Sequence, residues 1–149
     1  MLLGSNGQIG QALRAEALPA EWELHAFGHA ECDITDHRAV QSIIQNLKPD
    51  LVINAAAMTA VDLCETEQDA AVAANFEAPG NIAAQCSALD IPLIHISTDF
   101  VFDGENRTTP YLPNDDMDPV NIYGNTKMMG EESVRQTLAW HVILRISSV

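Results

Sequence analysis

The first ten residues constrain the fold of this chain more than any other stretch. An apolar run, Met1–Leu3, enters a turn with glycines at positions 4, 7 and 10, and the helical pattern of Gln11–Leu18 follows. Gly4 can adopt a positive φ where the strand ends, Gly7 leaves room for a pyrophosphate at the helix N-terminus, and Gly10 allows close helix–sheet packing. The context favours a dinucleotide site over the alternative, a tight strand–helix loop without a ligand.

Composition narrows the class of protein. The 149 residues suffice for one dinucleotide-binding domain, over residues 1–149. The net charge of -14, with only seven Lys and Arg residues, argues against a nucleic-acid or anionic-membrane partner. There is neither a membrane-spanning apolar run nor a signal-peptide start. Cys32, Cys64 and Cys86 show no metal-binding spacing, which predicts no metal site and a cytoplasmic compartment with reduced thiols.

Short apolar runs alternate with stretches of helical periodicity along the chain. The predicted strands are 1–3, 23–27, 51–56, 92–97 and 141–147. The predicted helices are 11–18, 36–47, 67–89 and 121–138, with Pro79 kinking the third near Asn75. Loops are predicted through Thr59 and Asp62 and over 103–119. This alternation indicates an α/β fold with a doubly wound parallel sheet, a Rossmann-type NAD(P)-binding domain.

Polar and small residues follow the predicted strands at one edge of the sheet. Right-handed crossovers place the glycine turn, Asn54–Ala57 and Ser97–Asp99 together at the carboxyl edge. Sheets of this kind bind their ligands at that edge, so we expect the site there.

Tyr123 and Lys127 are four residues apart, which puts a phenol and an ammonium on one helix face. A nearby cation favours the phenolate, so Tyr123 can exchange a proton near neutral pH. Thr98, at a strand end, can supply a second hydrogen bond to a carbonyl or alkoxide. Taken alone, such a pair is common on solvated helices. With the glycine turn upstream, it indicates hydride transfer between a nicotinamide and a carbonyl carbon.

These motifs resemble a known family. The glycine turn, Ser97-Thr98 and Tyr123-x-x-x-Lys127 resemble the extended short-chain dehydrogenase/reductases. Asn54–Asp62, Ile96–Gly104 and Asn121–Lys127 more closely resemble the dTDP-4-dehydrorhamnose reductase family, and the similarity runs through all 149 residues. It implies NAD(P)H-dependent reduction of the 4-keto group of a dTDP-sugar, dTDP-4-dehydrorhamnose to dTDP-rhamnose, in cell-surface polysaccharide biosynthesis.

The resemblance also implies residue roles. Tyr123 would protonate the sugar C4 oxygen, and Lys127 would hold the nicotinamide ribose and lower the Tyr123 pKa. Thr98 would orient the keto oxygen, with Asp99 beside the sugar; Thr98, Asp99 and Tyr123 are thus the predicted substrate-binding residues. Besides Tyr123 and Lys127, the predicted contacts to NADPH or NADH are Gly4, Gly7, Gln8, Ile9, Gly10, Asp33, Ile34, Asn54, Ala55, Ala56, Ala57, Met58, Thr59 and Ser97.

Several of these positions have simpler interpretations. Asp33 can be a turn residue near the next helix cap, and Asp99 can be a strand-end cap. Asn75 can be a mid-helix polar residue that bonds a neighbouring strand's backbone, an interpretation we weigh equally with a role in the site. The residues following the second predicted strand, Phe27–His29, leave the choice between NADH and NADPH open.

Two departures from the family carry further predictions. The family continues into a second, substrate-binding half that this chain lacks, and Ser148 stands where the family has a sugar-site Trp. We therefore expect weak turnover or none. The alternative is a non-catalytic dinucleotide-binding or regulatory protein, similar to the regulatory subunit of methionine adenosyltransferase. Because the sequence stops at Val149, after an apolar strand, we also expect self-association.

Overall fold

A computed structural model describes residues 1–105 and 108–147. The strands are β1 Leu2–Leu3, β2 Ala26–Phe27, β3 Val52–Asn54, β4 Leu93–Thr98 and β5 His141–Ile146. The α-helices are α1 Gln8–Ala15, α2 His37–Leu47, α3 Val61–Thr66, α4 Gln68–Val72, α5 Ala78–Ala88 and α6 Ile122–Thr137. A π-helical turn, Ala73–Glu77, joins α4 to α5, and a 3₁₀ turn, Asp99–Val101, follows β4.

All strand pairs are parallel, in the order β2-β1-β3-β4-β5, which confirms the predicted fold class. The order reverses between β1 and β3, because the chain moves outward to β2 and then crosses back. Right-handed crossovers put α1 on one face of the sheet and the later helices on the other. Contacts of α5 with both α2 and α6 agree with this layering.

The main core lies between the sheet and the layer of α2, α5 and α6. Leu3, Val52 and Leu93 point from neighbouring strands into it. Helix α2 contributes Val40 and Ile44, which are four residues apart and fully buried. The side chains that close the core from the other helices are Ile82, Ala83, Cys86 and Val134.

Helices α2 and α6 each begin at a residue whose side chain caps the helix N-terminus. Asp36, the N-cap of α2, accepts hydrogen bonds from Arg38 N at 3.0 Å and Ala39 N at 3.1 Å. Asn121 caps α6 by accepting from Gly124 N at 2.7 Å. The α6 prediction is correct within a residue at each end, and the cap fixes where Tyr123 enters the helix.

Elsewhere the structure differs from the sequence-based boundaries. Helix α1 begins at Gln8 rather than Gln11, and β2 is limited to Ala26–Phe27. The predicted loop around Asp62 is helix α3. The predicted helix 67–89 is interrupted by the π-helical turn around Asn75, and Pro79 lies in the first turn of α5. Pro79 thus restarts the helix, because it lacks the N–H that a helix interior needs.

Candidate active site

A cleft of about 850 Å³ opens at the carboxyl edge of the sheet, where the sequence placed the site. Its size is in the range of about 300–1,000 Å³ typical of cofactor sites. The predicted residues that line it are Gly4, Gly7, Gln8, Ile9, Asp33, Ile34, Ala55, Ala56, Ala57, Met58, Thr59, Ser97, Thr98, Asp99, Tyr123 and Lys127. The predicted cofactor residues Gly10 and Asn54 do not line the cleft, because both are buried behind its wall.

The glycine turn forms one end of the cleft. Gly4 has a φ of +81°, as expected, and its carbonyl accepts a hydrogen bond from Gly7 N at 3.1 Å. Gly7 is the N-cap residue of α1, so the first free N–H groups of that helix face the opening. A Cβ on Gly10 would lie 2.2 Å from Gly4 O, which shows why this helix position requires glycine.

Two buried asparagines hold the segment 55–59 that forms the floor of the cleft. Asn54 Oδ1 accepts from Ala56 N at 3.2 Å, and Asn54 also contacts His95 Nδ1 at 3.2 Å. Asn75 accepts from Met58 N at 2.9 Å and donates to Met58 O at 3.0 Å. Both asparagines therefore shape the floor through the backbone, and Asn75 bonds the loop after β3 rather than the strand itself.

Tyr123 and Thr98 meet at the other end of the cleft. The Tyr123 side chain is 8% exposed, and its ring packs edge-on against Phe100 with centroids 5.5 Å apart. Burial raises the pKa of Tyr123, and a hydrogen bond with the Thr98 side chain partly opposes that shift. Thr98 Oγ1 also accepts a hydrogen bond from Phe100 N at 3.2 Å, which orients the hydroxyl. A neutral phenol and a fixed hydroxyl thus converge on one point.

Burial, the largest influence on the Tyr123 pKa, raises it, whereas the expectation from the sequence was a lowering by Lys127. Lys127 Nζ donates to the Ile96 carbonyl at 2.7 Å, and the side chain is 2% exposed. Burial lowers the pKa of Lys127 to about 8, and Glu131 raises it in part. The ammonium is directed at the strand backbone, and burial of the phenol decides the Tyr123 pKa.

For Asp33 and Asp99 the sequence left two interpretations open, a residue of the site or a residue that shapes a turn. Asp33 accepts from Thr35 N at 2.9 Å and from Thr35 Oγ1 at 2.7 Å, and these hydrogen bonds lower its pKa. Asp99 begins the 3₁₀ turn and accepts from Thr98 Oγ1 at 3.3 Å. Each carboxylate shapes a turn and also lines the cleft.

Ten of the residues that line the cleft were not predicted as site residues: Asn6, Gln11, His29, Cys32, Thr35, Val61, Ala74, Ile96, Phe100 and Ile146. Asn6, Gln11, His29 and Cys32 complete the cleft at the β1–β2 end. Gln11 Nε2 donates to the Asn6 carbonyl at 2.7 Å, which joins α1 to the glycine turn. Asn6 lies inside the glycine motif and could have been inferred from that position. His29 and Cys32 follow a two-residue strand whose end was not visible in the pattern.

Other sequence-based expectations concern groups outside the cleft. Among the described residues, no cluster of three or more metal-ligating side chains occurs. None of the helices in the described ranges is long and apolar enough to cross a bilayer. Ser148, which stands where the family has a Trp, lies outside the described residues.

Known proteins share both the sequence and the architecture. The family described as RmlD substrate binding domain matches residues 1–149. A dTDP-4-dehydrorhamnose reductase of Mycolicibacterium smegmatis is 45% identical over 134 residues, which make up 90% of this chain and 40% of that protein. One from Sinorhizobium fredii is 39% identical over 146 residues, 98% of this chain and 49% of that protein.

A solved structure shows the same fold at high similarity. The crystal structure of dTDP-4-dehydrorhamnose reductase from Bacillus anthracis in complex with NADP has a TM-score of 0.92 and 35% identity. The match covers 97% of this chain and 51% of that chain. This chain spans about half the length of the relatives it matches. It belongs to the RmlD substrate binding domain family and, within it, is similar to the dTDP-4-dehydrorhamnose reductases.

Proposed function

We propose that this chain is the dinucleotide-binding part of an NAD(P)H-dependent reductase that acts on the 4-keto group of a dTDP-sugar, dTDP-4-dehydrorhamnose. The observation that carries the proposal is the layout of one cleft. The glycine turn lies at one end, and Thr98, Tyr123 and Lys127 lie at the other. This separation matches a dinucleotide whose pyrophosphate and nicotinamide must be held apart.

The residues present fit such a cofactor. Gly7 has open space where a Cβ would be, with only Gly4 O at 3.5 Å, so the start of α1 is accessible to a pyrophosphate. The cleft walls contain Lys127 but no other Lys or Arg among the described residues. Phosphate binding would therefore depend on backbone N–H groups and the helix dipole rather than on side-chain cations.

The chemistry of the catalytic end follows from the protonation states. When bound, a reduced nicotinamide supplies the hydride. Tyr123, neutral because burial raises its pKa, donates its phenolic proton to the developing alkoxide oxygen. Thr98 donates a second hydrogen bond to the same oxygen.

We expect the chain to bind NADH and NADPH with measurable heat in titration calorimetry, and NADH more tightly. At the end of β2, the carboxylate of Glu31 accepts from Gly28 N at 2.9 Å. A carboxylate near this strand end suits a ribose hydroxyl and repels a 2′-phosphate. Tighter binding of NADPH would contradict the assigned effect of Glu31, and no heat with either cofactor for the folded chain would contradict the site.

Weak turnover by residues 1–149 alone remains a prediction, as does the regulatory alternative. Thr98, Asp99 and Tyr123 are the predicted substrate-binding residues, and all three line the cleft. An NAD(P)H-depletion assay with dTDP-4-dehydrorhamnose tests whether the chain acts as a reductase or as a regulatory protein. Oxidation that Tyr123→Phe removes would exclude the regulatory protein, whereas binding of the dinucleotide without any oxidation fits both a reductase part with no turnover of its own and the regulatory protein.

We further propose a cytoplasmic location. Its support is that Cys32, Cys64 and Cys86 are all unpaired thiols, as is usual where thiols stay reduced.

We also propose that the chain associates with a second copy of itself. β5 is an edge strand of the described sheet, and its Val142 and Leu144 are 50% and 45% exposed. Trp140, just before it, is also exposed. An apolar edge strand is a template for pairing with another chain. The net charge of -14 opposes association through repulsion that salt screens.

We therefore expect the dimer fraction to rise with ionic strength. Size exclusion with light scattering at about 0.05 M and 1 M salt measures it, because the Debye length falls from above 10 Å to about 3 Å over this range. The variant Val142→Lys should reduce association at both salt concentrations. A single monomeric peak in both buffers would show that the edge is sufficiently protected.

A further inference from the structure

A buried carboxylate lies one helical turn beyond Lys127. Glu131 is fully buried on α6, and the four-residue spacing places it on the same helix face as Lys127. The chemistry proposed above gives it no role. A carboxylate away from water is strongly disfavoured unless it is paired, so its partners should reveal what it does.

Two arginines hold Glu131 in its ionised form. Arg145 of β5 makes a bidentate contact, Nε to Oε1 at 2.9 Å and Nη2 to Oε2 at 2.7 Å. Arg135 adds a third hydrogen bond, Nη2 to Oε2 at 2.8 Å. Burial would raise the pKa of Glu131, but hydrogen bonds from Arg145 and Ser97 and the charges of the two arginines outweigh it and place the pKa below its ordinary value.

Arg145 is itself fixed from two further directions. Its Nη1 donates to the Pro113 carbonyl at 3.0 Å, and its guanidinium carbon lies 4.9 Å from the centre of the Phe102 ring. The carboxylate of Glu131 therefore has a defined position relative to the sheet, unlike a mobile surface ion pair.

Lys127, one helical turn before Glu131 on α6, lines the cleft. Burial disfavours its ammonium, and Glu131 is the charged group that opposes this effect. The other titratable groups around the Lys127–Tyr123 turn are His95 of β4, Asp99 after β4, Cys64 of α3 and Tyr123 itself. His95 is neutral near pH 7, because burial and Lys127 lower its pKa.

We propose that Glu131 is a positioning residue of this site, a buried counter-ion that keeps Lys127 charged and seated at the Ile96 carbonyl. Arg145 and Arg135 supply the support that allows Glu131 to stay ionised in the core. The functional consequence rests on the proposed dinucleotide site, but the charge state of Lys127 can be measured without any cofactor.

The test is a lysine titration by NMR on the ¹³C-lysine-labelled chain. The chain has only two lysines, Lys48 and Lys127, and the exposed Lys48 serves as an internal reference. We expect Lys127 to titrate with a pKa of about 8 in the unmodified chain. In Glu131→Gln, its midpoint should fall by at least about half a pH unit, a threefold change in proton affinity.

Glu132→Gln is the matched control. Glu132 is the next residue on α6, and its half-exposed carboxylate lies 4.0 Å from Arg135. Its loss changes the net charge by the same amount, and the Lys127 midpoint should stay within about 0.2 unit, because exposed charges are screened. An equal shift in both variants would overturn the proposal, since it would show a general charge effect.

Glu131→Gln leaves two arginines without their carboxylate and can impair folding. The double variant Glu131→Gln with Arg145→Met removes one of them, the other, Arg135, keeps Glu132 at 4.0 Å, and the Lys127 midpoint should fall in this variant too. An unchanged midpoint in the folded double variant would overturn the proposal. A lowered midpoint in a chain that binds neither NADH nor NADPH would support the counter-ion role and contradict the proposed function instead.

Discussion

Replacing Tyr123 with Phe is expected to reduce any dTDP-4-dehydrorhamnose reduction that the chain shows under the proposed function by about 10²–10⁴-fold, the usual contribution of a positioned proton donor. The phenylalanine ring keeps the edge-on contact with Phe100 and loses only the hydroxyl that bonds Thr98. Stability should therefore change by about 1 kcal/mol, the net value of one hydrogen bond. The dinucleotide affinity should stay within a few-fold. NAD(P)H oxidation, measured at the wild-type optimum, reports the rate.

Tyr111→Phe is the matched control, because Tyr111 is the other of the two tyrosines in the chain. Its ring stacks on Phe102, and its hydroxyl bonds Asp103, outside the cleft. It should lose less than about twofold in rate, as expected of a surface substitution. A Tyr123→Phe chain that keeps the full rate would show that another group donates the proton.

Alanine at Gly10 and at Gly7 should separate folding from cofactor binding. A Cβ at Gly10 meets backbone atoms, Gly4 O at 2.2 Å and Ser5 Cα at 2.6 Å, so no rotamer change can relieve the contact. We expect Gly10→Ala to lower the free energy of unfolding by about 3 kcal/mol, the upper end of the range for overpacking. Its cofactor affinity should fall with the stability of the turn. Urea unfolding followed by circular dichroism measures the loss.

Gly7→Ala should have the opposite effect: it should weaken dinucleotide binding strongly and change the free energy of unfolding little. The added Cβ has only Gly4 O within van der Waals contact, at 3.5 Å, and the backbone conformation of Gly7 suits any residue. Stability should fall by no more than about 1 kcal/mol, the cost of a poorer N-cap. Dinucleotide affinity should fall at least about tenfold, because the methyl group covers the N–H groups at the start of α1. Calorimetry that shows equal affinity for Gly7→Ala and wild type would place the pyrophosphate elsewhere.

Features carried by adjacent residues were readable from the sequence alone. The spaced glycines predicted the strand–turn–helix at the N-terminus, and Gly4 has the positive φ that they required. Alternating apolar runs predicted the parallel sheet, and the carboxyl-edge rule brought Gly7, Ala56 and Ser97 to one cleft. These inferences succeed because strand pattern, capping and crossover handedness depend on short-range chemistry.

What only the tertiary structure decided depends on contacts between distant segments. The π-helical turn around Asn75 follows from its hydrogen bonds to Met58, 17 residues away. The pKa of Tyr123 is set by burial under neighbouring elements rather than by Lys127 in the same helix, because desolvation outweighs a cation bonded elsewhere. Glu131 and Arg145 are ordinary charged residues in the sequence, and they become a buried pair only when β5 packs beside α6. No local pattern encodes such burial, since it depends on which surfaces the folded chain removes from water.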